Sequence, residues 1–153
     1  MIMDDRNLFS DKQAVTAIDF SDFSLDLGQE GVIYDGTQIL KRKGVAEHIP
    51  LYIGVNTAFV SGGASTDMTI EIQEGTGVDG AGDLNAGVSS ILSVTVPIAD
   101  LVAGYIFPVD KLPRKVTKRY LQFKFTAVGG PFASGNISAG FVAAVDGMNK
   151  SNF

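Results

Sequence analysis

The chain of 153 residues contains no cysteine, no tryptophan and a single histidine, His48. Without cysteine it has neither a disulfide framework nor a thiolate zinc site. His48 stands beside Glu47, just before a proline-containing strand and far from any serine-nucleophile signature, so we expect a surface residue at a strand end rather than a catalytic base. The lack of tryptophan also weakens a carbohydrate-binding interpretation, which would favour flat aromatic platforms.

Long hydrophobic runs are missing too, and no segment approaches the length of a membrane span. The N-terminus is acidic at Asp4 and Asp5, where a secretory signal would be basic and then apolar. We therefore expect a soluble protein made in cytosol-like conditions, with no membrane partner. The formal net charge of −5 disfavours nucleic acid as a partner.

The chain contains eighteen glycine residues and several short segments in which apolar and polar side chains alternate. In the clearest segment, residues 119–127, Leu121, Phe123 and Phe125 fall on one face. Gln122 and Lys124 fall on the opposite face, which we predict to be wet. A period of two is typical of a half-buried β-strand.

Similar alternation recurs along residues 49–55, 68–72, 92–98 and 137–145, and no long helical pattern separates these segments. An α/β fold would need long crossovers that the chain has no room for. The pattern predicts an all-β fold, a jelly-roll-like antiparallel β-sandwich of about eight strands. One helical turn is expected at residues 100–104.

The length and composition indicate one domain over residues 1–153. Within it, we expect residues 1–23 to form an extended arm that becomes an edge strand. Residues 146–153 show no periodicity, and we expect a mobile tail unless Phe153 docks.

The glycine-rich stretch from Gly75 to Gly87 contains two motifs that mimic known sites. Residues 75–80 fit the GxGxxG string of dinucleotide-binding folds, but no helix follows to face a pyrophosphate. Asp79 and Asp83 could offer oxygens to calcium, yet one such loop lacks the ligand count of a dedicated site. We predict a flexible hairpin loop, with no metal and no cofactor.

Charge is unevenly distributed along the chain. Acidic residues dominate before Lys41, whereas residues 111–124 are basic. These regions either attract each other, within or between subunits, or form two solvated faces. Arg119, Tyr120, Phe123 and Lys124 look superficially like a nucleic-acid surface, but alternation sends Phe123 to the face opposite Tyr120 and Lys124.

With these residues laid out, the chain resembles the capsid cement proteins of tailed phages, also called head-decoration proteins. The resemblance extends over nearly the whole length. It rests on the order and spacing of residues 9–16, 49–53, 101–107, 119–121 and 130–140. The linker 41–43, the loop 75–87 and the segment after Val145 depart from the pattern.

The resemblance implies a non-enzymatic virion protein that is made in the host cytoplasm and binds the outer surface of the capsid. Its partners would be the major capsid protein and copies of itself, in a homotrimer at three-fold or quasi-three-fold positions, where multivalent attachment strengthens modest contacts. The residues that we expect at the capsid or subunit interface are Leu8, Phe9, Val15, Lys41, Arg42, Arg114 and Lys115. Leu8 and Phe9 could equally cap the subunit's own core.

Two alternatives stay open at this point. A lectin-like or carbohydrate-binding sandwich would use exposed Tyr34, Tyr52 and Tyr120. A small hydrolase would use unpaired acids, although no two acids stand out in the sequence. The sequence leaves undetermined the position and copy number on the lattice, the capsid residues contacted, and whether the arm is exchanged between subunits.

Overall fold

The computed structural model describes residues 2–27, 50–113 and 116–144, with the backbone alone for residues 2–7 and 143–144. The described residues contain no α-helix. They form ten β-strands and a single 3-10 turn at Ile98–Asp100. The strands are β1 (Ile2–Ala14), β2 (Ile18–Phe20), β3 (Leu25–Asp26), β4 (Leu51–Ser61), β5 (Asp67–Gly75), β6 (Gly77–Val78), β7 (Leu84–Ala86), β8 (Ser89–Pro97), β9 (Tyr120–Val128) and β10 (Phe132–Ala144).

Two antiparallel sheets make up the body of the protein. Sheet A has the order β1-β10-β4, and residues 105–111 run along the far side of β4 through bridges from Ile106 to Gly54 and from Lys111 to Pro50. Sheet B has the order β2-β9-β5-β8, with β3 also paired to β9. All the strand pairs are antiparallel.

The pairing is nested in the way that defines a jelly roll. From the ends of the chain inward, β1 pairs with β10, β2 and β3 pair with β9, β4 pairs with residues 105–111, and β5 pairs with β8. Counting β2 and β3 as one interrupted strand gives eight strands in four nested pairs. The all-β sandwich expected from the sequence is confirmed, and the small β6-β7 hairpin is an insertion between β5 and β8.

The core lies between the two sheets and follows the alternation of the sequence. On β9, Leu121, Phe123 and Phe125 are almost completely buried. They face Ile53, Val55 and other buried apolar residues of sheet A. The further core residues of β5 and β10 are Met68, Ile70, Ile72, Ile137, Ala139 and Phe141. Because the period of two holds across four strands, burial fixes the register of both sheets.

Two local expectations differ from the structure, and a third is confirmed in part. The helical turn lies at Ile98–Asp100 rather than at residues 100–104. The stretch from Gly75 to Gly87 contains the expected hairpin, which is formed by β6 and β7. Gln122, expected on the wet face of β9, is 1% exposed, since this hairpin covers that part of the face. The tail 146–153 lies outside the described residues.

The expected N-terminal arm is part of the sandwich from its beginning. Strand β1 pairs with β10 from Ile2 to Ala14 and forms the edge of sheet A, as far as the described residues show. The pairing is irregular between Leu8 and Gln13, where Lys12 adopts a positive φ of 51°. Such bulges twist an edge strand and protect it from pairing with other chains.

The core position of Phe125 can be tested by truncation. Replacing Phe125, which is 0% exposed, by alanine should lower the free energy of unfolding by about 3–5 kcal/mol, because the change removes transfer energy and leaves a cavity. Urea unfolding followed by circular dichroism measures this. Thr126→Ala, one residue along on the opposite face, is the control and should cost less than about 1 kcal/mol. Equal effects of the two substitutions would mean that the register is wrong.

Candidate functional site

The predicted interface residues near the N-terminus are mostly buried in the subunit. Phe9 is 2% exposed and Val15 is 0% exposed, so both belong to the subunit's own core and present no side chain to a partner. Leu8 is half-buried and lies opposite Gly140 on β10. Of the two interpretations given for Phe9, burial in its own core is the one seen. Lys41, Arg42, Arg114 and Lys115 lie outside the described residues, and their interface role stays a prediction.

Instead, the surface near β1 exposes two other apolar side chains. Ile18 on β2 is 62% exposed, and Phe23, between β2 and β3, is 58% exposed. Sequence reasoning missed both residues. Phe23 alternates with Leu25 and Leu27, which are partly or fully buried, so the alternation by itself does not single out Phe23 as exposed. No signal in the single sequence distinguishes Phe23 from its neighbours.

The backbone beneath Phe23 is held by hydrogen bonds. The Phe23 N–H donates to the carbonyl oxygen of Phe9 at 3.0 Å, and the Ser21 hydroxyl donates to the Phe23 carbonyl oxygen at 2.9 Å. Gln13 adds two links, since its amide nitrogen donates to the Phe20 carbonyl oxygen at 2.5 Å and its amide oxygen accepts from Asp22 N–H at 3.1 Å. The ring is therefore exposed on a fixed base, which reduces the entropy lost on binding.

Asp22 precedes Phe23 in the chain and interacts with Asp11 of β1. Burial raises the pKa of Asp22, the backbone N–H of Asp11 lowers it by hydrogen bonding, and the charge of Asp11 raises it again, with a net upward shift. Asp19 accepts from the N–H of Thr16 at 2.8 Å. We call Ile18 and Phe23, with Asp19 and Asp22 beside them in the chain and with Asp11, which interacts with Asp22, the N-terminal patch. Its apolar and acidic character suits a partner surface that is apolar with basic groups at its rim.

Elsewhere, Glu74 at the end of β5 is a buried carboxylate, with its side chain 7% exposed. It accepts hydrogen bonds from Thr117 N–H at 2.7 Å, Thr117 Oγ1 at 3.0 Å, Lys118 N–H at 3.1 Å and Ser89 Oγ at 3.2 Å. Burial by itself raises the pKa of Glu74, but these hydrogen bonds outweigh burial and the net pKa lies below the ordinary value. Glu74 thus fixes the chain that leads into β9.

The β6-β7 hairpin is attached to sheet B by Gln122. The side-chain oxygen of Gln122 accepts from Leu84 N–H at 2.8 Å, and its nitrogen donates to Asp83 Oδ1 at 2.6 Å. Within the hairpin tip, Asp79 Oδ1 accepts from the N–H groups of Ala81 and Asp83 at 2.8 and 3.0 Å. One carboxylate oxygen of each aspartate is thereby engaged in shaping the hairpin.

Among the described residues, the charged regions noted in the sequence meet within the subunit at Arg119 and Asp26. Arg119 donates to both carboxylate oxygens of Asp26, with Nε–Oδ1 and Nη2–Oδ2 distances of 2.7 and 2.6 Å. This hydrogen bonding raises the pKa of Arg119. The Arg119 guanidinium also lies 4.8 Å from the centre of the Tyr120 ring. Of the two alternatives left open, attraction within a subunit is therefore observed for this pair.

The residues weighed for chemistry do not converge in the part of the chain that the structure describes. No group of three histidine, cysteine, aspartate or glutamate side chains that could hold a metal occurs there. Within the same residues, no helix is long and apolar enough to cross a membrane. Tyr52 folds back over Gly54, and Tyr120 is half-buried beneath Arg119. His48 and Tyr34 lie outside the described ranges.

Comparison with known families decides where the chain belongs. The family model Bbp16 matches residues 9–141. The chain belongs to the Bbp16 family. The Bbp16 match begins at Phe9 in β1 and ends at Phe141 in β10, and these two rings touch in the core with centroids 5.3 Å apart. The family pattern therefore spans both sheets of the jelly roll. No curated protein matches the chain.

The hydrogen bonds of Glu74 give a pH-dependent prediction. Glu74→Gln should destabilise the protein near neutral pH by about 1–3 kcal/mol, because buried donors lose a charged acceptor. The folded-state pKa lies below the ordinary 4.5, so the wild-type advantage is full above that value and is lost as the pH falls through the lowered pKa. Denaturant unfolding of both proteins between pH 3 and 7 measures the difference. Glu71→Gln, on the same strand but 25% exposed, should show a smaller effect. A difference independent of pH would contradict this role.

The attachment of the hairpin can be tested by amide exchange. Gln122→Ala removes the acceptor for Leu84 N–H, and the exchange rate of that amide should rise by roughly tenfold, the equivalent of one hydrogen bond. NMR-detected hydrogen exchange measures it. Gln73→Ala is the matched control, because Gln73 lies directly opposite Gln122 on β5 but donates to Glu71 instead. Unchanged exchange at Leu84 in the Gln122 variant would show that the hairpin is held by other contacts.

Proposed function

We propose that this protein is a structural component of a phage virion that binds the outside of the capsid and cements neighbouring capsomers. The observation that carries the proposal is the match to the Bbp16 family over residues 9–141, whose name suggests a phage protein. The order of motifs that resembles capsid cement proteins points the same way. In this role the protein performs no catalysis, and its partners are the major capsid protein and other copies of itself.

The form of the subunit supports an adhesive role. The buried polar side-chain atoms of the described residues all have a hydrogen-bond partner, so none of these atoms is left unpaired for a ligand. The polar networks at Glu74, Gln122 and Gln13 each join separate segments of the chain. Such a rigid subunit loses little conformational entropy when it attaches to a shell.

We further propose that the N-terminal patch contacts the capsid. Phe23 is the main support for this contact, because an aromatic ring that is 58% exposed on a hydrogen-bonded backbone has the character of an interface anchor. It takes the place of Phe9 and Val15, which are buried. The carboxylates beside it would meet basic groups of the shell, so attachment should weaken as the salt concentration rises.

The test is binding to heads of the cognate phage that lack the protein. We expect saturable binding to mature, expanded heads, little binding to unexpanded shells, and a higher temperature of head disruption once the protein is bound. Sedimentation of heads with labelled protein gives the stoichiometry. Absence of binding to heads in either state would refute the capsid role.

A substitution then tests the proposed contact. Phe23→Ala should weaken head binding at least tenfold, as expected for the loss of a buried aromatic anchor, while the unfolding midpoint changes little because the ring is exposed. Val102→Ala is the control, since Val102 is similarly exposed at 54% but lies beyond the 3-10 turn, away from β1 and β2. If the two variants bind heads with equal affinity, Phe23 is not part of the contact.

A further inference from the structure

Strand β1 contains one extra residue beside β10, and this bulge is centred on Lys12. Ser10 lies opposite Ala139 and Gln13 lies opposite Ile137, so two residues of β1 fit where β10 has one. Lys12 has a φ of 51°, and it is the one non-glycine residue with a positive φ among those that the structure describes. This left-handed conformation is unfavourable for a residue that carries a Cβ. The surrounding structure must therefore hold it.

Side chains of the neighbouring strands hold the Lys12 backbone in this conformation. Ser138 Oγ of β10 accepts from the Lys12 N–H at 3.0 Å and donates to Asn56 Oδ1 of β4 at 2.7 Å. Asn136 Nδ2 donates to the Lys12 carbonyl oxygen at 2.6 Å. These side chains replace the hydrogen bonds that the bulge removes from the strand ladder. The Lys12 side chain itself is exposed, so the network fixes the backbone of this residue.

The extra residue decides which way Gln13 points. Side chains directly opposite each other on paired strands lie on the same face of the sheet, and Ile137, opposite Gln13, is fully buried in the core. Gln13 therefore lies on the inner side of sheet A. Ser10, opposite the buried Ala139, lies there too and donates to Gln13 Oε1 at 2.6 Å. Because residues three apart lie on opposite faces of a regular strand, Gln13 would point to the outer face without the bulge.

From the inner side of sheet A, Gln13 reaches the segment that contains Phe23. Its amide nitrogen donates to the Phe20 carbonyl oxygen at 2.5 Å, and its amide oxygen accepts from the Asp22 N–H at 3.1 Å. Phe23 follows Asp22, and its side chain is 58% exposed. A strained residue of β1 is thus connected through one side chain to the exposed ring of the N-terminal patch. Strain of this kind is typical of functional sites, where it pre-organises the binding groups.

We propose that the β1 bulge positions Phe23 for capsid attachment: the left-handed backbone of Lys12 directs Gln13 towards residues 20–22, and Gln13 holds Phe23 in its binding orientation. The inference rests on the proposed contact between the N-terminal patch and the capsid. Lys12 and Gln13 act as positioning residues, and neither needs to touch the shell. Because the segment is ordered before it binds, attachment costs less conformational entropy.

Two substitutions of Lys12 separate its backbone from its side chain. Lys12→Asn and Lys12→Val both remove the charge, but asparagine tolerates the left-handed conformation, whereas a β-branched residue resists it. Lys12→Val should therefore weaken binding to mature heads about tenfold and raise the exchange rate of the Asp22 amide about tenfold. Lys12→Asn should keep both values within about twofold of the wild type. Sedimentation of heads with labelled protein and NMR-detected hydrogen exchange measure them.

A double substitution distinguishes positioning from a general loss of stability. If Lys12 acts through Phe23, Lys12→Val should cause no further loss of head binding in a Phe23→Ala background, whereas independent effects would multiply. Gln13→Ala covers the case in which Lys12→Val fails to fold. It should show the same loss of binding and the same dependence on Phe23.

The outcomes separate the role of the bulge from the capsid role. Wild-type protein that binds no heads would refute the capsid role, and the role of the bulge in attachment with it. If the wild type binds heads and both Lys12→Val and Gln13→Ala bind equally well, the bulge proposal alone is overturned. Losses that multiply with that of Phe23→Ala, or a wild-type exchange rate of the Asp22 amide in both variants, would also overturn it.

Discussion

The contact on which the fold depends is the meeting of three phenylalanine rings between the sheets. Phe9 of β1 packs edge-to-face on Phe123 of β9 at 4.7 Å and on Phe141 of β10 at 5.3 Å between centroids. The first, next-to-last and last long strands of the chain are thereby joined in the core. Because this contact closes the outermost pairs of the jelly roll, the whole nested topology requires that Phe9 point inward.

This inward position of Phe9 decides which residues remain for function. An N-terminal segment that contributes Phe9 and Val15 to the core is not a free adhesive arm. The apolar groups left on the surface nearby are Ile18 and Phe23, on a backbone held by Gln13, Ser21 and Phe9. The same interior leaves partly exposed apolar residues at the β8 edge. Both surfaces are open to protein–protein contacts of the kind that the proposed structural role requires.

Much of the fold could be predicted from the sequence, because apolar and polar residues alternate with a period of two in a half-buried strand. Leu121, Phe123 and Phe125 were assigned correctly on that basis, as were Met68, Ile70 and Ile72. The period fails where a second layer covers the outer face, as at Gln122, which is polar yet buried under the hairpin. The predicted position of the helical turn was also wrong by a few residues, because a three-residue 3-10 turn is too short to show a periodic pattern in the sequence.

The candidate site was less accessible to sequence reasoning. Phe9 and Phe23 are both phenylalanines in alternating segments, and only the three-dimensional pairing shows that the first is buried and the second exposed.

The most direct measurement of the central claim is electron microscopy of cognate heads with and without the added protein. We expect ordered jelly-roll density on the outer surface at capsomer boundaries. Heads that look identical with and without the protein would contradict it.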